Sequence, residues 1–326
     1  GTLRNFASMQ TSVRLLSGFA LGPEGSDTDP LFYDFMSEFS WRNDLPTDTA
    51  GCNEYVADWM KEYAKRRYGL AAYNEAPELF DEMVELLRTT FYSATPSGAP
   101  EQSVINGMPA LTGTQARPNG NTQRQPWSYK NASELFGICA ALVNTVSREN
   151  MTKGFLYDMT DFTRQVLSEP AQPIYNRIQP AYSQDIGLAK QYTQQIIDII
   201  YDMNELLASN ENFLFGTRIQ GARSRGATES DKAYFEVIER TFVTYWMADA
   251  STPNWSVYDY ANKQLAGYLL DWCGYRWELF YDQLDAASKA AVKPSESEFN
   301  ASYQSLVRSR SQAYSETWTY EPYNVW

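Results

Sequence analysis

From residue 50 onward the apolar side chains recur at helical spacing, and no stretch alternates apolar with polar as a half-buried strand must. Tyr55, Val56, Trp59, Met60 and Tyr63 make one stripe. Lys65, Arg66 and Arg67 then close that helix, where basic groups favour its dipole, and Gly69 stands where a C-terminal cap belongs. Further helices are expected at Pro77–Tyr92, Ala132–Val146, Phe155–Leu167, Gln184–Leu207, Glu211–Ser224, Glu229–Met247, Tyr260–Ala291 and Glu296–Ala313. In the Gln184–Leu207 pattern, Tyr192, Ile196, Ile200, Met203 and Leu207 keep register while Ile197 and Ile199 widen the buried face. There is no internal repeat of fixed period. The expected fold is mainly all-α.

The first 50 residues read differently. Thr2–Phe6 and Val13–Leu21 are extended in pattern, and Gly22-Pro23-Glu24-Gly25 follows the second of them. A helix opens at Asp29-Pro30, with proline in its favoured first turn, and runs through Phe39. Asp44–Thr49 has a proline and no apolar period, and is the expected linker. Thr95–Tyr129 is rich in Gly, Pro, Thr, Asn and Gln, and a loop of that length in a compact domain is usually functional or mobile.

Composition removes several classes of function. A net charge of −13 argues against nucleic acid and against anionic membrane surfaces. No apolar run reaches the length of a membrane span. With no histidine, the chain holds no Ser-His-Asp or Cys-His machinery and no histidine metal site. Cys52, Cys139 and Cys273 are far apart, so they are either buried thiols or one disulfide and an odd cysteine. Asn131, Asn150, Asn254 and Asn300 head N-x-S/T sequons, which would suit a lysosomal or secreted glycoprotein. The chain opens mid-pattern with Gly1-Thr2-Leu3, as a processed or truncated product would.

Two segments invite chemistry. Glu24, a carboxylate ending a strand-like run, is ordinarily a solvated turn residue. Its other reading is a catalytic group presented at the end of a barrel strand and held by the restricted backbone of Pro23. Asp259-Tyr260-Ala261-Asn262-Lys263-Gln264 is ordinarily an N-terminal capping cluster. With Trp246 and Val257 it would also make a wall of flat and aliphatic surface beside a few polar groups, as suits a sugar. Acidic residues such as Glu54, Asp58 and Glu62 read as the solvated face of an amphipathic helix.

Several segments together resemble one family, the α-N-acetylglucosaminidases of glycoside hydrolase family 89. They are Gly22-Pro23-Glu24-Gly25, Glu38-Phe39-Ser40-Trp41-Arg42, Tyr63-Ala64-Lys65-Arg66-Arg67-Tyr68-Gly69, Tyr157 through Gln165, Asn212-Phe213-Leu214-Phe215-Gly216, Asp259 through Gly267 and Arg276-Trp277-Glu278-Leu279-Phe280. They are ordered, correctly spaced and spread over most of the chain.

The resemblance implies that residues 1–45 are the last strand and helix elements of a (β/α)₈ catalytic barrel, and 46–326 an all-α domain closing its active site. It implies Glu24 as nucleophile and Trp246, Val257 and Tyr260 as pocket residues. Leu3 and Phe6 would join them, from a strand-end motif Leu3-Arg4-Asn5-Phe6. The reaction implied is retaining hydrolysis of terminal α-linked N-acetylglucosamine, without metal or cofactor, with the general acid on an upstream barrel segment that must be supplied as a partner. A histidine that some members place near the pocket has no counterpart here, so the Thr95–Tyr129 loop must substitute another group or leave the pocket more open. A glycan on Asn254, between Trp246 and Val257, would crowd that pocket, so this sequon is expected to be unmodified or directed outward. The competing expectation is a catalytically inactive helical glycoprotein serving as an interaction or structural module. Assembly into a homo-oligomer stays open.

Overall fold

The computed structural model describes residues 30–39, 41–42, 44–90, 103–111, 129–244 and 264–316. These residues form helices joined by short turns, with no strand among them beyond one isolated bridge. None of the described helices is long and apolar enough to cross a membrane. Chain contacts separate two compact units: residues 1–96 with 130–162, and residues 97–129 with 163–326. The irregular residues 44–48, expected as a linker, lie inside the first unit.

In the first unit α1 (Pro30–Phe39) is followed by α2 (Thr49–Tyr68), the short α3 (Leu70–Glu75), α4 (Pro77–Thr90) and α5 (Tyr129–Thr145). The first ten residues of α6 (Lys153–Ser168) complete it. Asp48 starts α2 by accepting the Gly51 amide at 2.9 Å. Gly69 ends it at φ +87°, a value that L side chains adopt only with strain. Met36, Leu45 and Cys52 seat α1 on α2, and the rings of Phe35, Trp59 and Tyr63 continue that contact. Tyr68, Phe80 and Phe155, all nearly fully buried, stack or meet edge to face in the core.

In the second unit α7 (Ala171–Gln184) packs on α8 (Ile186–Ala208), and α8 carries α11 (Tyr275–Lys289), which in turn contacts α12 (Glu296–Glu316). Helix α9 (Phe215–Arg223) pairs with α10 (Glu229–Val243). Ile196, Ile200, Met203 and Leu207 of α8 are fully buried, as the periodicity predicts. Asp185 caps α8, and a Thr228–Asp231 capping box opens α10.

Three details depart from the sequence reading. Helix α7 was not expected, because Pro170, Pro173 and Pro180 interrupt its pattern. Pro173 sits in the first turn, where no donor is required, while Pro180 loses one internal bond that burial of Tyr175, Ile178, Ala181 and Tyr182 offsets. The segment expected as one helix from residue 260 is irregular at 264–267, then forms a π-helical turn, Leu269–Gly274, before α11. The helix expected over Glu211–Ser224 divides at Leu214 into a 3₁₀ turn and α9. Cys52, Cys139 and Cys273 are all free and buried, which decides between the two cysteine readings. Burial alone pushes the Cys139 thiol up to about 12.

Candidate functional site

Motifs far apart in the sequence meet in pairs. In the first unit Arg67, in the last turn of α2, forks onto Asp158 of α6, with Nε at 3.0 Å and Nη2 at 2.7 Å from its two carboxylate oxygens. A planar guanidinium matches a carboxylate in this two-point manner, and a lysine would not. Tyr157 lies under the same guanidinium at 5.5 Å. Burial raises the Asp158 carboxyl above its ordinary value, with Arg67 and the Tyr68 hydroxyl opposing the rise. Gly154 is required where α6 passes α2, since a Cβ there would stand 2.6 Å from the Arg67 carbonyl oxygen.

Glu38 organises the neighbouring motif. It accepts the Trp59 indole N–H at 2.5 Å and Nη2 of Arg42 at 2.9 Å, and Arg66 stands 3.9 Å away. Burial would raise this carboxyl, but those donors and cations outweigh it and hold it below its ordinary value. Between α1 and the end of α2 lies an open cleft of about 450 Å³, lined by Tyr33, Asp34 and Ser37 on one side and Tyr63, Arg66 and Arg67 on the other.

In the second unit the segment 212–216 pairs with 264–267 through the parallel bridge Leu214–Ala266. The Phe215 amide donates to the Ala266 carbonyl at 3.0 Å and the Ala266 amide to the Phe213 carbonyl at 2.8 Å. Gly267 then turns at φ +88°, and its amide donates to Oδ1 of Asn204 at 2.8 Å. Gln264, 3% exposed, ties in the remaining segments. Its side-chain oxygen accepts from Arg164, and its nitrogen donates to Oδ1 of Asn106 at 3.1 Å. Arg276 donates to the Asn106 carbonyl at 2.6 Å. Part of the long polar loop is thereby fixed as a buried element, with Ser103 through Gly107 all buried. Glu236 and Arg240, both nearly fully buried, pair within α10, and Arg223 of α9 joins Glu236 at 2.7 Å. This charged cluster anchors the helix whose sequence leads into Trp246.

Of the residues singled out from sequence, Leu3, Phe6, Glu24, Trp246, Asn254, Val257 and Tyr260 lie outside the described residues. Among the sequons, Nδ2 of Asn150 donates to Glu75 at 2.6 Å. Asn300 is 7% exposed and accepts the Leu111 amide at 2.7 Å. Asn131 is half-buried in the first turn of α5. Sequence reasoning did not single out Asn106, and it named Arg164 only within the Tyr157–Gln165 motif. Asn106 in particular carries no local signal, since its partners lie more than 150 residues away. No group of three or more Cys, Asp or Glu side chains able to hold a metal ion occurs among the described residues.

The described residues define an all-α domain in which buried polar side chains join segments far apart in the sequence. The profile of the α-N-acetylglucosaminidase (NAGLU) C-terminal domain matches residues 59–324, and the chain belongs to that family. It is 27% identical over 270 residues to human α-N-acetylglucosaminidase, covering 82% of this chain and 33% of that protein. Among solved structures, a family 89 glycoside hydrolase from Clostridium perfringens in complex with PUGNAc superposes with a TM-score of 0.77 at 23% identity, over 94% of this chain and 33% of that one. A Clostridium perfringens enzyme carrying two glutamate-to-glutamine substitutions, in complex with its substrate GlcNAc-α-1,4-galactose, also gives 0.77, at 20% identity over 98% of this chain and 37% of that one. These likenesses show the fold. The chain spans about a third of the length of the relatives it matches.

Proposed function

We infer that this chain is the C-terminal part of a retaining exo-glycosidase that releases terminal α-linked N-acetylglucosamine. The observation that carries the reading is family membership across residues 59–324, together with the pairing of the quoted motifs in the fold. In this reading Glu24 attacks the anomeric carbon and forms a covalent glycosyl-enzyme. A second carboxylic acid, on an upstream barrel segment, protonates the leaving oxygen and then activates water. The Clostridium perfringens complex supports a two-carboxylate reaction, since two of that protein's glutamates were replaced and its substrate remained bound. Trp246 supplies a flat apolar wall, Tyr260 a ring with an orienting hydroxyl, and Leu3, Phe6 and Val257 the remaining apolar surface. Asn300 is buried, so support for a lysosomal or secreted location comes from the sequons at Asn131, Asn150 and Asn254.

In a chain completed to the length of its relatives, Glu24→Gln should abolish turnover of an aryl α-N-acetylglucosaminide while leaving the unfolding midpoint unchanged. Turnover near that of the parent would overturn the assignment.

A further inference from the structure

The buried turn that the polar loop contributes to the second unit contains the dipeptide Asn106-Gly107. Asparagine before glycine is the pairing most prone to lose its side-chain amide without an enzyme. Glycine has no Cβ to hinder attack by its own amide nitrogen on the asparagine Cγ. Here each participant is held. The Asn106 and Gly107 amides both donate to the Ser103 carbonyl at 3.1 Å. Through Oδ1 the Asn106 side chain accepts from Gln264 at 3.1 Å, and through Nδ2 it donates to Sγ of Cys273 at 3.8 Å. Arg276 donates to the Asn106 carbonyl at 2.6 Å. At 1% exposure Asn106 is also shut off from the water that the reaction consumes. Four residues on, Ala110 donates to the Tyr175 hydroxyl at 3.3 Å and accepts from it at 2.8 Å, and the Leu111 amide donates to Asn300 at 2.7 Å. Freeing the turn therefore means breaking its bonds to α7, α11 and α12.

We propose that Asn106 is a site of spontaneous deamidation that the fold keeps silent, and that its modification makes opening of the second unit irreversible. In the opened turn the Gly107 nitrogen attacks Cγ of Asn106 and gives up its proton. The side-chain nitrogen leaves as ammonia, and a succinimide ring forms. Water then adds to either ring carbonyl and yields aspartate or isoaspartate. Aspartate has no Nδ2–H for Cys273 and would carry a charge into a buried place. Isoaspartate routes the main chain through Cβ, and the added atom draws the Gly107 amide away from Ser103. Neither product rebuilds the turn. This holds whatever reaction the complete protein catalyses.

The test follows the peptide carrying Asn106 by mass spectrometry in the chain completed to the length of its relatives. One sample is kept folded in buffer and another unfolded in urea, at the same mildly alkaline pH. Conversion of Asn106, scored apart from the second such dipeptide Asn119-Gly120, should be at least about 100-fold slower in the folded sample, which reacts only through rare opening. Equal rates would overturn the protection. On dilution of the urea, the refolded fraction should fall in step with Asn106 conversion, and the native material recovered should hold unmodified Asn106. Modified chains that refold as fully as unmodified ones would overturn the irreversibility. Gly107 has no positive φ, so the backbone accepts Gly107→Ala, whose methyl hinders the attack. That variant should lose its capacity to refold more slowly than the parent, each measured against its own freshly unfolded sample. Loss at the parent's rate would trace the damage to another event and end the proposal.

Discussion

Arg67 shows how one side chain commits two helices. Asp158 is 5% exposed, so its charge is tolerated only because the guanidinium returns two hydrogen bonds. Arg67→Ala leaves that carboxylate buried and uncompensated, and should cost toward the lower end of about 3–5 kcal/mol in urea unfolding. Arg67→Lys restores charge but not the fork, and should recover only part of the loss. An Arg67→Ala midpoint equal to the parent's would show that α2 and α6 are held by apolar contacts alone. The basic run 65–67 was legible as a helix end, but the choice of Arg67 as the buried partner was not. It depends on a residue 91 positions later.

At the level of elements, backbone conformation decides what a glycine contributes. Gly267 sits at φ +88° where the bridge to Leu214 ends, and its amide serves Asn204. Gly221, inside α9, has nothing within 4 Å of where a Cβ would stand. Gly267→Ala should therefore lower stability by about 1–2 kcal/mol, and Gly221→Ala should raise it by about 0.5–1 kcal/mol. Thermal unfolding of the two variants checks both signs at once. Helices with a sustained apolar stripe, such as α2, α4 and α8, were legible because burial repeats every turn. Helix α7 was not, because tertiary packing overrides its prolines. The pairing of Asn212–Gly216 with Gln264–Gly267 was hidden too, since neither segment alternates as a strand. A single bridge pairs them, through the Phe215 and Ala266 amides alone.

For the whole molecule, the carboxylates determine how acid acts on the fold. Glu75 accepts the Ser147 amide at 2.6 Å and hydroxyl at 2.8 Å and the Asn150 side chain at 2.6 Å, and these bonds, the Ser147 amide first, hold its carboxyl below the ordinary 4.5. Glu38, Glu85, Glu229 and Glu298 are likewise held low, each by donors or cations from its surroundings. A carboxylate with a lowered folded value binds fewer protons folded than unfolded, so its contribution is present above the unfolded value and is lost as pH falls through the folded one. Asp158, raised by burial, acts in the opposite sense over a window above its ordinary 3.8. Asp271, also raised by burial, acts with Asp158, but among the described residues the lowered carboxylates outnumber these two, so net stability should decline as pH falls below about 4.5. Between pH 7 and 5 partial neutralisation of the −13 charge relieves self-repulsion instead. The unfolding temperature should hold or rise slightly from pH 7 to 5 and then drop. Glu75→Gln cannot titrate, so it should unfold at a lower temperature than the parent at pH 6 and converge on it toward pH 3. A constant offset between the two curves would mean that Glu75 acts by packing and not through its charge.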